Sequence, residues 1–313
     1  MIYVIGGSNI DLFAHSNDEL VLKESNLGKV KIGFGGVARN IAENLSNFDH
    51  KVSLVTGLGN DYFATTLVDD LRSKGVELDY AVDVNDSQST YLALFDQEND
   101  MHLAINDMDI LNRLSKDDFN ELLKQINNRD LVVFDANFNE ELLEYLSSKI
   151  NCYKAIDATS AIKLRRIKKF AANFNCIKMN VIEAGDFANI DLINDDDFIE
   201  AFKYFKTQGI DEVIISTKDG LYYGDKNYIY HYRHNANIDV VNASGAGDAL
   251  MSGFIHGRYE GYDLDYQLKV SLSLALLTLK SLNNVAICDK TMVRDIAINS
   301  NIKGEVVYEY QNK

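Results

Sequence analysis

Four short apolar runs, at 131–134, 155–156, 176–178 and 213–215, punctuate the second half of the chain, and a helix-like stretch follows each of the first three. Runs this short and almost wholly apolar suit strands buried on both faces, and parallel neighbours need a crossover, usually a helix, to join them. The alternation therefore restricts the chain to an α/β fold: a doubly wound, mainly parallel sheet flanked by helices. Residues 3–7 and 52–55 read as further buried strands. Val37, Ile41, Ala42 and Leu45 recur at helical spacing, and Asp61 opens a helix running through 71.

Other strand-like segments are more polar. Residues 89–95 and 101–105 flank the turn Gln97-Glu-Asn-Asp100 as a hairpin, and 21–23 and 29–33 alternate as half-exposed strands. They are too polar for a central sheet, so a small β layer from about 12–33 and 87–106 should project from it. Beside the carboxyl ends of a parallel sheet, such a layer is placed to act as a lid. A second hairpin, 221–223 with 228–232, and helices from about 246, 264 and 290 complete one domain over 1–313.

The net charge of −16 excludes a general nucleic-acid or anionic-membrane surface. It leaves room for phosphate bound locally on backbone N–H groups at a helix start. Cys152, Cys176 and Cys288 are odd in number and show no metal-ligand spacing, which fits buried free thiols in a reducing cytosol. The segment 1–7 reads as a strand rather than a signal peptide, no apolar run reaches membrane-span length, and the expected location is cytoplasmic. There is no proline, where average usage of ~5% would give about fifteen.

The segment Asn242-Ala-Ser-Gly-Ala-Gly-Asp248 carries the strongest chemical signal. It lies between a strand-like 238–241 and an apolar helix, and its small residues let successive N–H groups face one cavity. Asp248, in the helix's first turn, could take a proton from an attacking hydroxyl, and phosphoryl transfer asks mainly for positioning and charge neutralisation. A glycine-rich loop with an acid at a helix start is the equally good local alternative. Gly33-Phe-Gly-Gly-Val-Ala-Arg-Asn40 matches a dinucleotide-binding pattern loosely, with no buried strand before it; it equally suits a sugar approaching Gly35 and Gly36 while Asn40 bonds its hydroxyls. Asn9 and Asp11 alternate onto one face at the end of the first strand. Asn180 and Glu183 share a helix face, suited to waters around Mg²⁺ or to a capping box. Ser216-Thr-Lys-Asp-Gly220 is either a phosphate-lining turn or a plain hairpin turn.

Taken in chain order, these motifs resemble the ribokinase-like (PfkB) carbohydrate kinases over about residues 1–300. The resemblance implies an ATP- and Mg²⁺-dependent kinase of a small sugar or nucleoside, with a β lid through which two copies pair. It implies Asp248 as base, and Gly245, Ala246 and Gly247 as anion hole. Asn9, Asp11, Gly35, Gly36 and Asn40 would contact the substrate, Asn180, Ser216 and Gly220 the nucleotide, and Glu183 the metal through water. Residues 25–31 leading into 35–45, and Leu103-Ala-Ile-Asn-Asp-Met-Asp109, are similar to the pseudouridine-specific branch, with Asn106 and Asp107 on the base or ribose. Proline common in the family near Leu27, Phe34, Ala158 and Met179 is missing, as deliberate replacement would leave it. Such replacement beside the glycine pair could yield a folded, ligand-binding but inactive chain. Asn242 stands where many relatives carry an acid near a monovalent cation, so the resemblance leaves K⁺ dependence open.

Overall fold

The computed structural model describes residues 1–235 and 239–311. In chain order the strands are β1 (Ile2–Ile5), β2 (Asn9–Ser16), β3 (Gly28–Gly35), β4 (Val52–Val55), β5 (Gly57–Leu58), β6 (Val82–Asp83), β7 (Thr90–Phe95), β8 (Met101–Asp107), β9 (Leu131–Asp135), β10 (Tyr153–Asp157), β11 (Cys176–Asn180), β12 (Glu212–Ser216), β13 (Gly220–Gly224), β14 (Tyr228–Arg233) and β15 (Lys303–Glu309). The α-helices are α1 (Val37–Ser46), α2 (Tyr62–Ser73), α3 (Asn120–Gln125), α4 (Glu140–Lys149), α5 (Ala161–Ile167), α6 (Val181–Ala188), α7 (Asp195–Thr207), α8 (Ala246–Glu260), α9 (Leu264–Leu279) and α10 (Lys290–Asn299).

The main sheet runs β15-β14-β13-β12-β11-β10-β9-β1-β4. From β4 to β12 the neighbours are parallel, and β13 to β15 add an antiparallel edge. Every residue of β1, β4 and β9 is buried. Tyr3, Ile5, Val132 and Phe134 face one core with Leu142, Leu164, Phe187 and Phe202 of the helices. Ile2, Val4, Leu131 and Val133 face the other with Ile41, Leu250, Phe254 and Leu272. Two covered faces explain why these strands are apolar at successive positions.

A second sheet, β3-β2-β7-β8, stands apart, and its register sorts its side chains. Asp11 is level with Gly33, Tyr91 and, across β7, Asn106. The next row, Ile32, Leu12, Leu92 and Ile105, projects from the opposite face.

Four local readings need correction. Asn9 and Asp11 open β2 of this second sheet; the first strand ends at Ile5. Residues 21–23 are not a strand: Val21 N–H donates to the Asn26 side chain at 2.8 Å, which returns a bond to the Val21 carbonyl at 3.0 Å, closing a turn. Asp239 to Val241 is not a strand, since the Val241 N–H instead bonds the Leu279 carbonyl at 2.9 Å; Ile238 lies outside the described residues. The edge strand β15 has no counterpart in the sequence reading.

Candidate active site

Two helices begin on glycines at the carboxyl end of the sheet. The N-cap of α1 is Gly36 and that of α8 is Gly245, and neither glycine has a side chain with which to cap its own helix. The N-caps of α2, α4, α7, α9 and α10 are Asp or Asn, whose side chains accept first-turn N–H groups. In α1 the carboxylate of Asp135 takes over: its Oδ2 accepts from Ala38 N–H at 3.0 Å and from Gly7 N–H at 2.9 Å. Among the described residues no side chain caps the first turn of α8, which leaves the donors and partial positive charge that suit an anion.

Glycine is required at both starts by the protein's own atoms. At Gly36, with φ of 101°, a Cβ would lie 2.4 Å from the Gly7 carbonyl oxygen. At Gly245, with φ of 78°, it would lie 1.9 Å from the Asn284 carbonyl oxygen. Gly35 makes room for Asp11, whose carboxylate a Cβ there would meet at 2.5 Å.

Asp248 is buried in the first turn of α8, and its Oδ2 accepts from Asn40 Nδ2 at 2.8 Å. Burial first, then the Asp157 carboxylate, pushes its pKa up to about 7; Lys178 and the Asn40 bond pull the other way. Asp135 ends β9, Asp157 ends β10 and Lys178 lies on β11, so sheet register brings them side by side. Lys178 donates to Asp157 Oδ2 at 2.8 Å. Burial works against the lysine's charge, but Asp157, then Asp248 and Glu183, hold its pKa above the ordinary lysine value.

Asn9, Asp11, Gly36, Asn40 and Asn106 line one cavity of about 190 Å³. Asn9 Nδ2 donates to Asp11 Oδ1 at 2.6 Å and Asn284 Nδ2 to Asp11 Oδ2 at 3.2 Å. Burial raises the Asp11 pKa against those two bonds. Asn40 touches Asp248 as well as lining the cavity, so it joins the candidate base to the candidate substrate space. Asp107 requires correction: strand alternation turns it to the face opposite Asn106, where it accepts from Asp109 N–H at 3.3 Å. Sequence reasoning missed Tyr91, Met108, Asn137, Thr159 and Lys163 in the lining. Thr159, at φ of 62°, holds a left-handed conformation that a β-branched residue rarely adopts.

The remaining candidates have structural duties. Asn180 and Glu183 form a reciprocal capping box, with Glu183 N–H to Asn180 Oδ1 at 2.9 Å and Asn180 N–H to Glu183 Oε2 at 2.8 Å. Ser216 Oγ donates to the Met179 carbonyl at 3.3 Å. Gly220 opens β13, where a Cβ would strike the Tyr232 carbonyl oxygen. Asn242 Oδ1 accepts from Ser244 N–H at 2.9 Å, and Asn242 Nδ2 donates to Asn284 at 3.4 Å.

A buried carboxylate at an open helix start, on the carboxyl side of a doubly wound sheet, has the parts of a phosphotransferase that acts on a hydroxyl. The family model for pfkB family carbohydrate kinases matches residues 1–290. Pseudouridine kinase of Escherichia coli K12 is 31% identical over 255 residues, covering 80% of this chain and 82% of the relative. Guanosine-inosine kinase of Exiguobacterium acetylicum is 22% identical, covering 90% and 95%. The Arabidopsis thaliana ribokinase structure, complexed with ribose and ATP, superposes with a TM-score of 0.81 at 15% identity over 95% of this chain and 98% of that one. The chain belongs to the pfkB family of carbohydrate kinases, enzymes that phosphorylate hydroxyl groups of sugars or nucleosides.

Proposed function

We propose that this kinase transfers the γ-phosphoryl group of ATP to the 5′-hydroxyl of pseudouridine, giving pseudouridine 5′-phosphate and ADP. The supporting observation is the Asn40–Asp248 bond, which ties a buried carboxylate at the start of α8 to the cavity beneath the second sheet. Asp248 accepts the hydroxyl proton as the oxygen bonds to phosphorus, and the bond to the bridging oxygen of ADP breaks. N–H groups of Gly245, Ala246 and Gly247 face the charge on the transferred group. With its pKa pushed up to about 7, Asp248 is a better proton acceptor than an exposed aspartate.

Asn9 and Asp11 bond the ribose, which approaches the backbone at Gly35 and Gly36. Tyr91 offers a ring to the base, and Asn106 reads its polar edge. The 31% identical pseudouridine kinase favours this acceptor over ribose. Asn180, Ser216 and Gly220 serve the nucleotide. The capping box uses one Glu183 oxygen and leaves the other, so the residues present fit a Mg²⁺ held through water. The ion would supply charge neutralisation on the phosphates.

The second sheet closes over the acceptor as a lid and pairs with a second copy. Val30, Ile32, Leu103 and Ile105 on its outer face are each more than half exposed. A contiguous apolar surface of this kind marks an interface. Free cysteines fit a cytoplasmic enzyme.

ADP release from Mg-ATP, measured with pseudouridine, uridine, adenosine and ribose beside Asp248→Ala, tests the reading. Turnover selective for pseudouridine and abolished in the variant is expected. Another preferred acceptor, still dependent on Asp248, would overturn the substrate and keep the mechanism.

A further inference from the structure

Lys178 lies in an otherwise apolar stretch of β11 between Ile177 and Met179, and it is only 5% exposed. Lysine is rarely buried so deeply without a reason beyond stability. A buried ion pair seldom stabilises a fold more than well-packed apolar residues of the same size. Asp157 accepts from its ammonium at 2.8 Å, and an ammonium carries three donors.

Gly247 shows where the side chain points and leaves room for it. A Cβ on that residue would lie 2.5 Å from Lys178 Nζ, so the ammonium rests against the first turn of α8. That is the turn whose N–H groups no side chain caps among the described residues. We propose that Lys178 is a catalytic residue: aligned by Asp157, its ammonium donates to the phosphoryl group as it passes over the 245–247 turn. The proposal rests on the phosphotransfer reading above. It assigns Gly247 a second duty, since any side chain there would displace the ammonium from the path of transfer. It also gives Asp157 a positioning role, because the carboxylate holds the lysine without touching the substrate.

The charges around Asp248 make the proposal readable in a pH profile. Asn40 and, behind it, Arg39 face it from α1, Asp135 from β9, Asp157 from β10 and Lys178 from β11, with Glu183 of α6 near the lysine. Lys178 favours the ionised base and Asp157 opposes it.

The test compares Lys178→Met, Asp157→Asn, the double variant and Asp248→Asn in steady-state phosphorylation across pH. Thermal melting checks that each is folded. Lys178→Met should lower kcat roughly 10²- to 10³-fold, the usual cost of losing one charge-stabilising donor. The acceptor KM should stay within about threefold, since the contact forms in the transition state. The acid limb of kcat/KM should move to higher pH in Lys178→Met and to lower pH in Asp157→Asn. If Lys178→Met is too unstable to assay, the double variant, which removes both buried charges, should show the same fall in kcat. A folded Lys178→Met or double variant with kcat within about threefold of the unaltered enzyme overturns the proposal and leaves the phosphotransfer reading standing, provided Asp248→Asn is inactive. Full activity in Asp248→Asn, or no acceptor phosphorylated by the unaltered enzyme, overturns both.

Discussion

At the scale of single residues, the site keeps its ionisable groups largely buried, and its pH behaviour follows. The bond from Asn40 stabilises the ionised form of Asp248. Asn40→Ala should therefore raise the pKa of Asp248 further and, with Asp248 as the proposed base, move the acid limb of kcat/KM to higher pH; an unchanged limb would count against that role. Stability carries the opposite signature. The folded-state pKa of Asp248 lies near 7, above its value in the unfolded chain, so the folded form binds the extra proton between about pH 4 and 7. Its contribution is present at the acid end of that window and lost as the pH rises through it. Asp248→Asn removes that loss, so its stability relative to the unaltered protein should grow from pH 5 to pH 8 in urea titrations. Gly245→Ala should lower stability by at least ~1–3 kcal/mol, the scale of a forced left-handed conformation, because its Cβ also meets the Asn284 carbonyl oxygen. Asp248 and the glycine pairs were legible because a helix start and small residues leave a local pattern. Lys178 and Asp157 were not, because they acquire meaning only where register sets neighbouring strands side by side. A weak signal existed: an acid follows each of the apolar runs 131–134 and 155–156, at the strand end that faces ligands in such sheets.

At the scale of elements, strands buried on both faces were found from sequence because they are apolar at successive positions. The second sheet was found in outline and misread in detail. Its strands mix Asp11, Tyr91 and Asn106 on one face with Leu12, Leu92 and Ile105 on the other, so polarity alone did not place Asn9 and Asp11 on a strand of their own. The same alternation separates Asn106 from Asp107, which adjacency in sequence had joined. Strand β15 is largely exposed and sits at the edge of the main sheet, where little apolar patterning is required. The outer apolar face of the second sheet makes a prediction of its own. Ile32 and Leu103 lie on β3 and β8, 59% and 52% exposed. On the pairing proposed above, the double substitution Ile32→Lys/Leu103→Lys should shift the protein from dimer to monomer in sedimentation equilibrium and leave far-ultraviolet circular dichroism unchanged. A monomer before substitution would refute the pairing through this face.

At the scale of the whole molecule, the site is assembled from distant parts of the chain. Asn40 and Asp248, 208 positions apart, meet from two helices, and Asp11 and Asn284 are separated by 273. The candidate site is therefore complete only when the sheet and both flanking layers have formed, and such long-range pairings make folding slow. The absence of proline separates this slowness from the other common source of slow refolding. X-Pro isomerisation gives phases of roughly 10–100 s because unfolded chains drift to cis while they wait. With no proline in the chain, that reservoir does not exist. In interrupted-unfolding experiments, the amplitude of any slow refolding phase should be independent of the time spent unfolded, and prolyl isomerase should not accelerate it. The remaining slow phase should instead follow recovery of acceptor-induced thermal stabilisation, since ligand binding reports the assembled site. An amplitude that grows with the unfolding delay would show that some other slow equilibrium in the unfolded chain, rather than sheet assembly, limits the return of the native site.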